Sequence, residues 1–328
     1  KNESVDLMIT SPPYPMIQMW DEIFGKQNPE ITKALKEENG EKAFELMNKE
    51  LDKVWKEVYR VLKVGGIACI NIGDATRSIN GKFQIYTNHA RILNYCLSLG
   101  FHALPEILWI KETNKPDKFM GSGMLPVGAY VTLEHEHILI LRKNNKREFK
   151  KPEQIDNRQK SAFFWEERNM WFSDKWRDIN GVFQKLNHSK LRERSGAYPI
   201  ELTYRLINMF SIQGDIVLDP FLGTGTTILG AMASMRDSVG YEIDKNFKEV
   251  IDDRIKEIKN LVDEYIKHRL ERHKEFVKKR EDEKGKLKYF SKNYKFPVMT
   301  RQEININIPK IKEVKKINEN LFEVEHLF

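Results

Sequence analysis

Ser11-Pro12-Pro13-Tyr14 places a hydroxyl, a stiffened backbone carbonyl and a flat aromatic ring within four consecutive residues. Proline presets its own φ, so the Pro12 carbonyl keeps its direction while Pro13 holds the bend. Two oxygens fixed in this way form a pair of hydrogen-bond acceptors, and an –NH2 group has the two donors to meet them. An amine attached to a heteroaromatic ring is a poor nucleophile, because its lone pair is delocalised into the ring. Acceptors on both N–H bonds favour the tetrahedral nitrogen and the positive charge that develop as it attacks an electrophile. The Tyr14 ring offers a face on which a planar ring can stack. A purely structural turn would use the same prolines, so this corner does not decide the question alone.

The second stretch with chemistry in it is "DPFLGTGTT", residues 219–227. It follows a strand pattern and opens a helix pattern, the place where an open α/β sheet binds a nucleotide-like ligand. Gly223 and Gly225 let the backbone pass close to such a ligand, where a Cβ would collide with it. No Gly-Lys-Ser/Thr follows, so the turn is not a phosphate-binding P-loop, and the third glycine of the dinucleotide fingerprint is absent. Glu242 ends "VGYE" about twenty residues on, the position of an acidic grip on ribose hydroxyls. Asp219 is placed to meet a ligand ammonium. A ligand with adenine, ribose and an amino-acid tail but no phosphate uses all these features, and S-adenosylmethionine fits that description.

These groups need rigid elements behind them. Val5–Thr10 reads as a short buried strand carrying the corner at its end. Helical spacing runs over 28–62, with Leu51, Val54, Trp55, Val58 and Leu62 on one face and Gly65-Gly66 as its stop. "IACINIG", 67–73, is apolar throughout and needs cover on both sides, which points to a parallel sheet between helix layers. A helix follows at about 86–99, then strands at 103–110 and 136–142, with a mobile loop expected at 111–130. A helix at about 199–212 precedes the strand and glycine turn, and the next strand is expected over 238–244. Residues 246–283 read as a long solvated helix whose charges nearly cancel. Alternating Ile304, Ile306 and Ile308 suggest one more strand. Strand and helix alternation makes the fold α/β.

"TSPPY" at a strand end, "VLDPFLGTGTT" and "GYEID" together resemble the amino-group DNA methyltransferases. The catalytic motif precedes the cofactor motif, which resembles the circularly permuted beta group of that family. The serine heading the tetrad is most similar to the N4-cytosine branch; N6-adenine enzymes more often carry Asp there. "YRVLKVGG", "EILWIKE" and "EHEHILILRK" also resemble stretches that link the family's strands, and the similarity covers most of residues 5–260. The resemblance implies a doubly wound, mostly parallel Rossmann-like sheet with an inserted target-recognition region. It implies a catalytic corner of Ser11, Pro12, Pro13 and Tyr14. It also implies a site for S-adenosylmethionine lined by Asp219, Pro220, Phe221, Gly223, Thr224, Gly225 and Thr226, with Glu242 on the ribose and no metal. Phe221 would lie along the cofactor, although core packing explains it nearly as well. The family's His-Pro-Ala-x-Phe-Pro segment corresponds to "RSGAYP" (194–199): Tyr198 and Pro199 match, while Arg194 stands in place of the histidine. Asp74, after "NIG", reads equally as a site-lining residue and as an ordinary turn aspartate. The family's upstream Gly-Asp segment is not seen, and the chain opens on Lys1 rather than Met, as if an N-terminal piece were missing.

The 328 residues carry a net charge of +7. Residues 142–194 hold 15 basic and 8 acidic residues, so that segment accounts for the whole excess. This is where the family inserts its recognition region, and the charge suits duplex DNA. Phe163, Phe164, Trp165, Trp171, Phe172 and Trp176 either assist in that recognition or form the insert's own small core. The expected divisions are a catalytic half (1–142), the recognition region (143–195), a cofactor half (196–260) and a C-terminal extension (261–328). Two cysteines, Cys69 and Cys96, lie inside strand and helix patterns. That argues against a disulfide framework and against a cysteine nucleophile for C5-cytosine chemistry. No apolar run spans a membrane and no signal peptide is visible. The expectation is a cytoplasmic bacterial or archaeal enzyme, monomer or homodimer, methylating cytosine N4 in duplex DNA beside a cognate restriction endonuclease. The alternatives are adenine N6, RNA or a protein amide as target, and a non-catalytic DNA-binding protein that kept the fold.

Overall fold

The structure is a computed structural model that describes residues 1–111, 120–180 and 198–328. Residues 112–119 of the expected loop, and 181–195 of the expected recognition region with Arg194, lie outside the described residues. β1 (Val5–Thr10) is buried along its whole length. After the proline corner the chain forms α1 (Asp21–Gln27), α2 (Pro29–Lys36) and α3 (Gly40–Val61). The single helix expected over 28–62 is therefore two helices. Asn28 caps α2 through its side chain, with Pro29 at the first helical position, and Asn39 caps α3 by accepting from the Lys42 N–H.

The Gly65-Gly66 pair does not stop α3 as expected. Leu62 already turns extended, and both glycines lie inside β2 (Leu62–Ile72). Gly65 takes φ +81°, and a Cβ there would sit 2.5 Å from the Arg147 backbone nitrogen. Here the β1–β2 pairing jumps from Val5↔Leu62 to Leu7↔Ile67, so the glycines form an irregularity that brings the strand back into register.

A small hairpin, β3 (Ala75–Ile79) and β4 (Lys82–Tyr86), leads to α4 (Asn88–Ser98) and β5 (Phe101–Ile110). The described part of the expected loop holds a short pairing of β6 (Met120–Gly121) with β7 (Ala129–Tyr130). β8 (His135–Lys143), α5 (Pro152–Lys160), α6 (Trp165–Trp171) and β9 (Lys175–Trp176) follow. Next come α7 (Ile200–Phe210), β10 (Ile216–Asp219), α8 (Thr226–Ala233), β11 (Asp237–Gly240) and α9 (Phe247–Lys284).

The main sheet runs β11-β10-β1-β2-β8-β5-β9. Its pairs are parallel except those on either side of β8, which runs antiparallel to β2 and β5. Met8, Leu139 and Leu141 face Trp55 and Ile92 on one side; Leu7, Ile9, Ile138 and Ile140 face Leu202 and Leu206 on the other. Both faces are covered, which is why these strands read as unbroken apolar runs.

Three further expectations change. The strand expected over 238–244 ends at Gly240, and Tyr241–Asp244 leave the sheet. α9 is not solvated all round: Ile255, Ile258, Val262, Ile266, Arg269, His273 and Val277 form a buried face. The alternating isoleucines near 304–308 are not a strand but an irregular stretch after a short 3-10 turn at Arg301–Glu303; Ile306 and Ile308 are buried, packed with the α9 face. The chain pairs Tyr289–Phe290 (β12) with Pro297–Val298 (β13) before that turn, and closes with the hairpin of β14 (Lys310–Asn318) and β15 (Leu321–Leu327). Among the described residues no helix is long and apolar enough to cross a membrane.

Candidate active site

β1 lies between β10 and β2, so the carboxyl ends of β1 and β10 are neighbours in the sheet. Ser11 leaves one end and Pro220 the other. A cavity of about 550 Å3 opens there, a size suited to a nucleoside-like ligand. Ser11, Pro12, Pro13 and Tyr14 form part of its wall. Pro220, Phe221, Gly223, Thr224, Thr226, Tyr198 and Glu242 form another part. The two stretches singled out in the sequence, about 210 residues apart, thus share one pocket, and the Thr10 hydroxyl joins the strands beneath it by donating to Asp219 at 2.5 Å.

The corner is wired to residues that sequence reasoning missed. The Tyr14 hydroxyl lies 3.1 Å from Ser11 Oγ and donates to Glu136 Oε2 at 3.0 Å. Asn71 Nδ2 donates to Glu136 Oε2 at 2.6 Å and to the Tyr14 hydroxyl at 2.9 Å. Lys111 Nζ donates to the other Glu136 oxygen at 2.7 Å. These contacts fix the direction of the hydrogens. A glutamate carboxylate only accepts, so Tyr14 gives it its proton, and Asn71 has both amide hydrogens committed. The Ser11 hydrogen then goes to Tyr14, which leaves the Ser11 lone pairs for the cavity. Burial, and next the adjacent Glu136 charge, push the Tyr14 phenol well above its ordinary range, so it stays protonated. A signal for Asn71 did exist in the sequence: it is a polar residue in an apolar strand, and a buried polar group needs partners.

The cofactor-side residues divide into those on the wall and those behind it. Gly223 takes φ +52° on the wall, and a Cβ built on it meets nothing within 4 Å. Its N–H donates to Glu242 Oε2 at 2.7 Å, while Glu242 Oε1 accepts from the Asp244 N–H at 2.8 Å, so Glu242 pins the turn to the following loop. Phe221 lines the cavity and also meets the Trp55 ring edge-on at 6.1 Å, so it faces the pocket while packing on the core.

Asp219 is buried and absent from the wall, in contrast to the expected ammonium contact. Its carboxylate accepts from Thr10, from Thr227 at 2.6 Å and from the Phe221 N–H at 3.0 Å. Burial still raises its pKa against these bonds. Gly225 is also behind the wall. It starts α8 at φ +82°, and a Cβ there would approach Ile251 to 3.2 Å, so helix packing explains this glycine better than ligand approach. Thr224 and Thr226 receive Arg254 Nη1 at 2.8 and 3.0 Å, a cation under the turn that the sequence reading had passed over.

Tyr198 reaches the wall, and its hydroxyl sits 2.8 Å from Thr227 Oγ1. Asp74 is not on the wall. It accepts from His89 Nδ1 at 2.8 Å, and the His89 ring stacks on His137 at 3.8 Å and 9°. Donor atoms of the three residues lie within 4.8 Å of one another. The two imidazole planes are nearly parallel, so their in-plane lone pairs do not converge on a common point.

The described part of the basic segment spends several cations internally. Arg147 pairs with Asp215 at 2.6 Å, and the buried Lys143 donates to the Leu62 carbonyl at 2.8 Å. Phe164 and Trp171 are buried against the α9 side, and Trp176 joins the core under the main sheet.

Known proteins resemble this chain in sequence and in fold. The sequence profile of the family described as DNA methylase, of the N6 and N4 type, matches residues 5–253. The Type II methyltransferase M.MthZI of Methanothermobacter thermautotrophicus is 53% identical over 324 residues, covering 98% of this chain and 90% of its own. The Type II methyltransferase M.MjaI of Methanocaldococcus jannaschii is 51% identical over 266 residues, covering 78% and 86%. A Thermus thermophilus protein described as a putative DNA modification methylase, solved in complex with S-adenosyl-L-methionine, superposes with a TM-score of 0.60. It is 30% identical, and the match covers 78% of this chain and 87% of that one.

Proposed function

The chain belongs to the N6 and N4 DNA methylase family, and from that premise we propose that it methylates the exocyclic N4 amine of cytosine in duplex DNA. The observation that carries this reading is the single cavity walled by Ser11 and Tyr14 on one part and by Gly223 and Glu242 on another. The residues present fit S-adenosylmethionine. Gly223 leaves open the space a Cβ would take, and Glu242 offers a carboxylate for ribose hydroxyls. Bound there, the group supplies an electrophilic methyl on a sulfonium.

The protein's part is to prepare the nucleophile. Ser11 Oγ turns lone pairs toward the cavity, because its hydrogen is directed to Tyr14. With the Pro12 carbonyl it accepts the two amine hydrogens and favours the tetrahedral nitrogen. The Tyr14 ring, anchored through its hydroxyl to Glu136 and Asn71, stacks on the base. A base inside the duplex cannot reach this cavity, so it is flipped out.

Serine rather than aspartate at the head of the tetrad supports cytosine over adenine. The Type II names of M.MthZI and M.MjaI support a role beside a restriction endonuclease that reads the same site. Nucleoside analysis of DNA methylated by the purified protein tests the target. N4-methyldeoxycytidine is the expected product. N6-methyldeoxyadenosine would overturn the choice of base and leave the family standing.

A further inference from the structure

We propose that Glu136 is a positioning residue that ends a proton path from the reacting amine, running through Ser11 Oγ and the Tyr14 hydroxyl. The inference rests on the amine-methylation reading above and adds what becomes of the proton. When the amine nitrogen bonds to the methyl carbon, the carbon–sulfur bond breaks and its electron pair stays on sulfur. The nitrogen is then cationic and must shed one N–H proton, and the electrons of that N–H bond return to nitrogen. Ser11 Oγ accepts this proton and passes its own to Tyr14, and Tyr14 passes its own to Glu136 Oε2. Ser11 and Tyr14 end unchanged, the amine ends neutral, and Glu136 ends as a carboxylic acid that later loses its proton to water.

Three observations carry this path. Its links are short and continuous, at 3.1 Å from Ser11 to Tyr14 and 3.0 Å from Tyr14 to Glu136. Its polarity is set: Glu136 is the acceptor-only member of the path, and the two Asn71 hydrogens hold Tyr14 and Glu136 in register. The Tyr14 hydroxyl is desolvated and lies beside an anion, which suits it to relay a proton rather than to keep a negative charge. Lys111, at the end of β5, balances the carboxylate from the other side at 2.7 Å. Among the described residues, the charged and titratable groups bonded to Glu136 are Lys111, at Oε1, and Tyr14, at Oε2. His135 and His137 alternate with it along β8 and so point to the opposite face of the sheet.

The test compares the whole protein with its Glu136→Gln, Glu136→Asp and Tyr14→Phe variants. The readouts are single-turnover methyl transfer across pH, cofactor affinity by calorimetry, and the Tyr14 phenol resonance by 13C-tyrosine NMR. We expect Glu136→Gln to keep cofactor affinity and to lower the transfer rate about 100-fold, within the usual range for a lost proton acceptor. It should remove the acid limb of the pH profile, while Glu136→Asp keeps that limb. Tyr14→Phe combined with Glu136→Gln should cost no more than either alone, since both cut one chain. In the free protein, Glu136→Gln should bring the Tyr14 ionisation down toward the ordinary range. An unchanged transfer rate and acid limb in Glu136→Gln, or an unmoved Tyr14 resonance, overturns the path while wild-type amine methylation still stands. Wild-type product methylated at a position other than an amine overturns both.

Discussion

At the scale of single residues, polar groups in this fold are set by pairs rather than by motifs. Ser11 is an acceptor toward the cavity because Tyr14 takes its hydrogen, and Tyr14 is free to take it because its own proton is held by Glu136. The Asp74–His89–His137 cluster follows the same logic and allows a pH test. The hydrogen bond that His89 donates to Asp74 raises the His89 pKa, whereas burial lowers that of His137. On acidification His89 thus takes up its proton before His137 does. The raised His89 value contributes stability that is whole below about pH 6.5, the unfolded pKa, and is lost as pH rises through the folded one. For His137 the burial penalty falls on the cation, so stability drops as pH falls from about 6.5 through its lowered pKa. Denaturant unfolding of wild type and His89→Gln should therefore differ most in mild acid and converge above the His89 pKa. His137→Gln should soften the loss on the acid side instead. A constant difference between wild type and His89→Gln from about pH 5 to about pH 9 would show that the Asp74–His89 pair is absent in solution.

At the scale of elements, the two glycines after β10 make distinct predictions although the sequence presents them as one motif. Gly225 starts α8 against Ile251, so Gly225→Ala must absorb a left-handed φ, about 1–2 kcal/mol, and push Ile251 aside. Its melting temperature should fall while remaining folded protein still binds cofactor. Gly223→Val meets similar backbone strain but has open space at its Cβ, so its main loss should be cofactor affinity, read by calorimetry on protein that is still folded. Wild-type affinity in Gly223→Val would remove that turn from the cofactor site. Much of this level was legible in the sequence. Strands covered on both faces read as apolar runs, and Ser-Pro-Pro-Tyr and the glycine turn announce themselves by composition. What was not legible depends on local capping or on register. Asn39 caps the start of a new helix inside a pattern whose apolar spacing continues through it. Gly65 looks like a helix stop and serves as a kink inside a strand. Glu136 meets Tyr14 across 122 residues because β8 reverses direction beside β2, and nothing local in "EHILILR" encodes that pairing.

At the scale of the whole molecule, the C-terminal residues are part of the core that holds the cofactor half. Phe296, Val298, Ile306, Ile308 and Ile311 are at most 9% exposed and pack with Leu229 and Met232 of α8 and the inner face of α9. Polar contacts tie the same stretch to the segment after β8 and to the turn between α7 and β10. Glu303 accepts from the Trp165 N–H at 2.8 Å, the Asn307 N–H donates to the Lys160 carbonyl at 3.0 Å, and Gln213 donates to the Asn307 carbonyl at 2.7 Å. Arg269 of α9 adds a buried pair with Glu167 and a bond to the Tyr204 hydroxyl, joining α9 to α6 and α7. At about 1.5–3 kcal/mol for each buried apolar side chain, the five residues contribute on the order of 10 kcal/mol. That rivals the roughly 5–15 kcal/mol by which whole domains are stable. A chain ending at 284 should therefore fail to hold α7 to α9 together and should lose cofactor binding, although every residue on the cavity wall is still present. Because such a fragment can precipitate, Ile306→Ala serves as the graded version, with an expected cost of about 2–5 kcal/mol in denaturant unfolding. If the shortened chain melts with wild type and binds cofactor equally well, these residues are an appendage, and the stability of the cofactor half must come from the sheet and α8 alone.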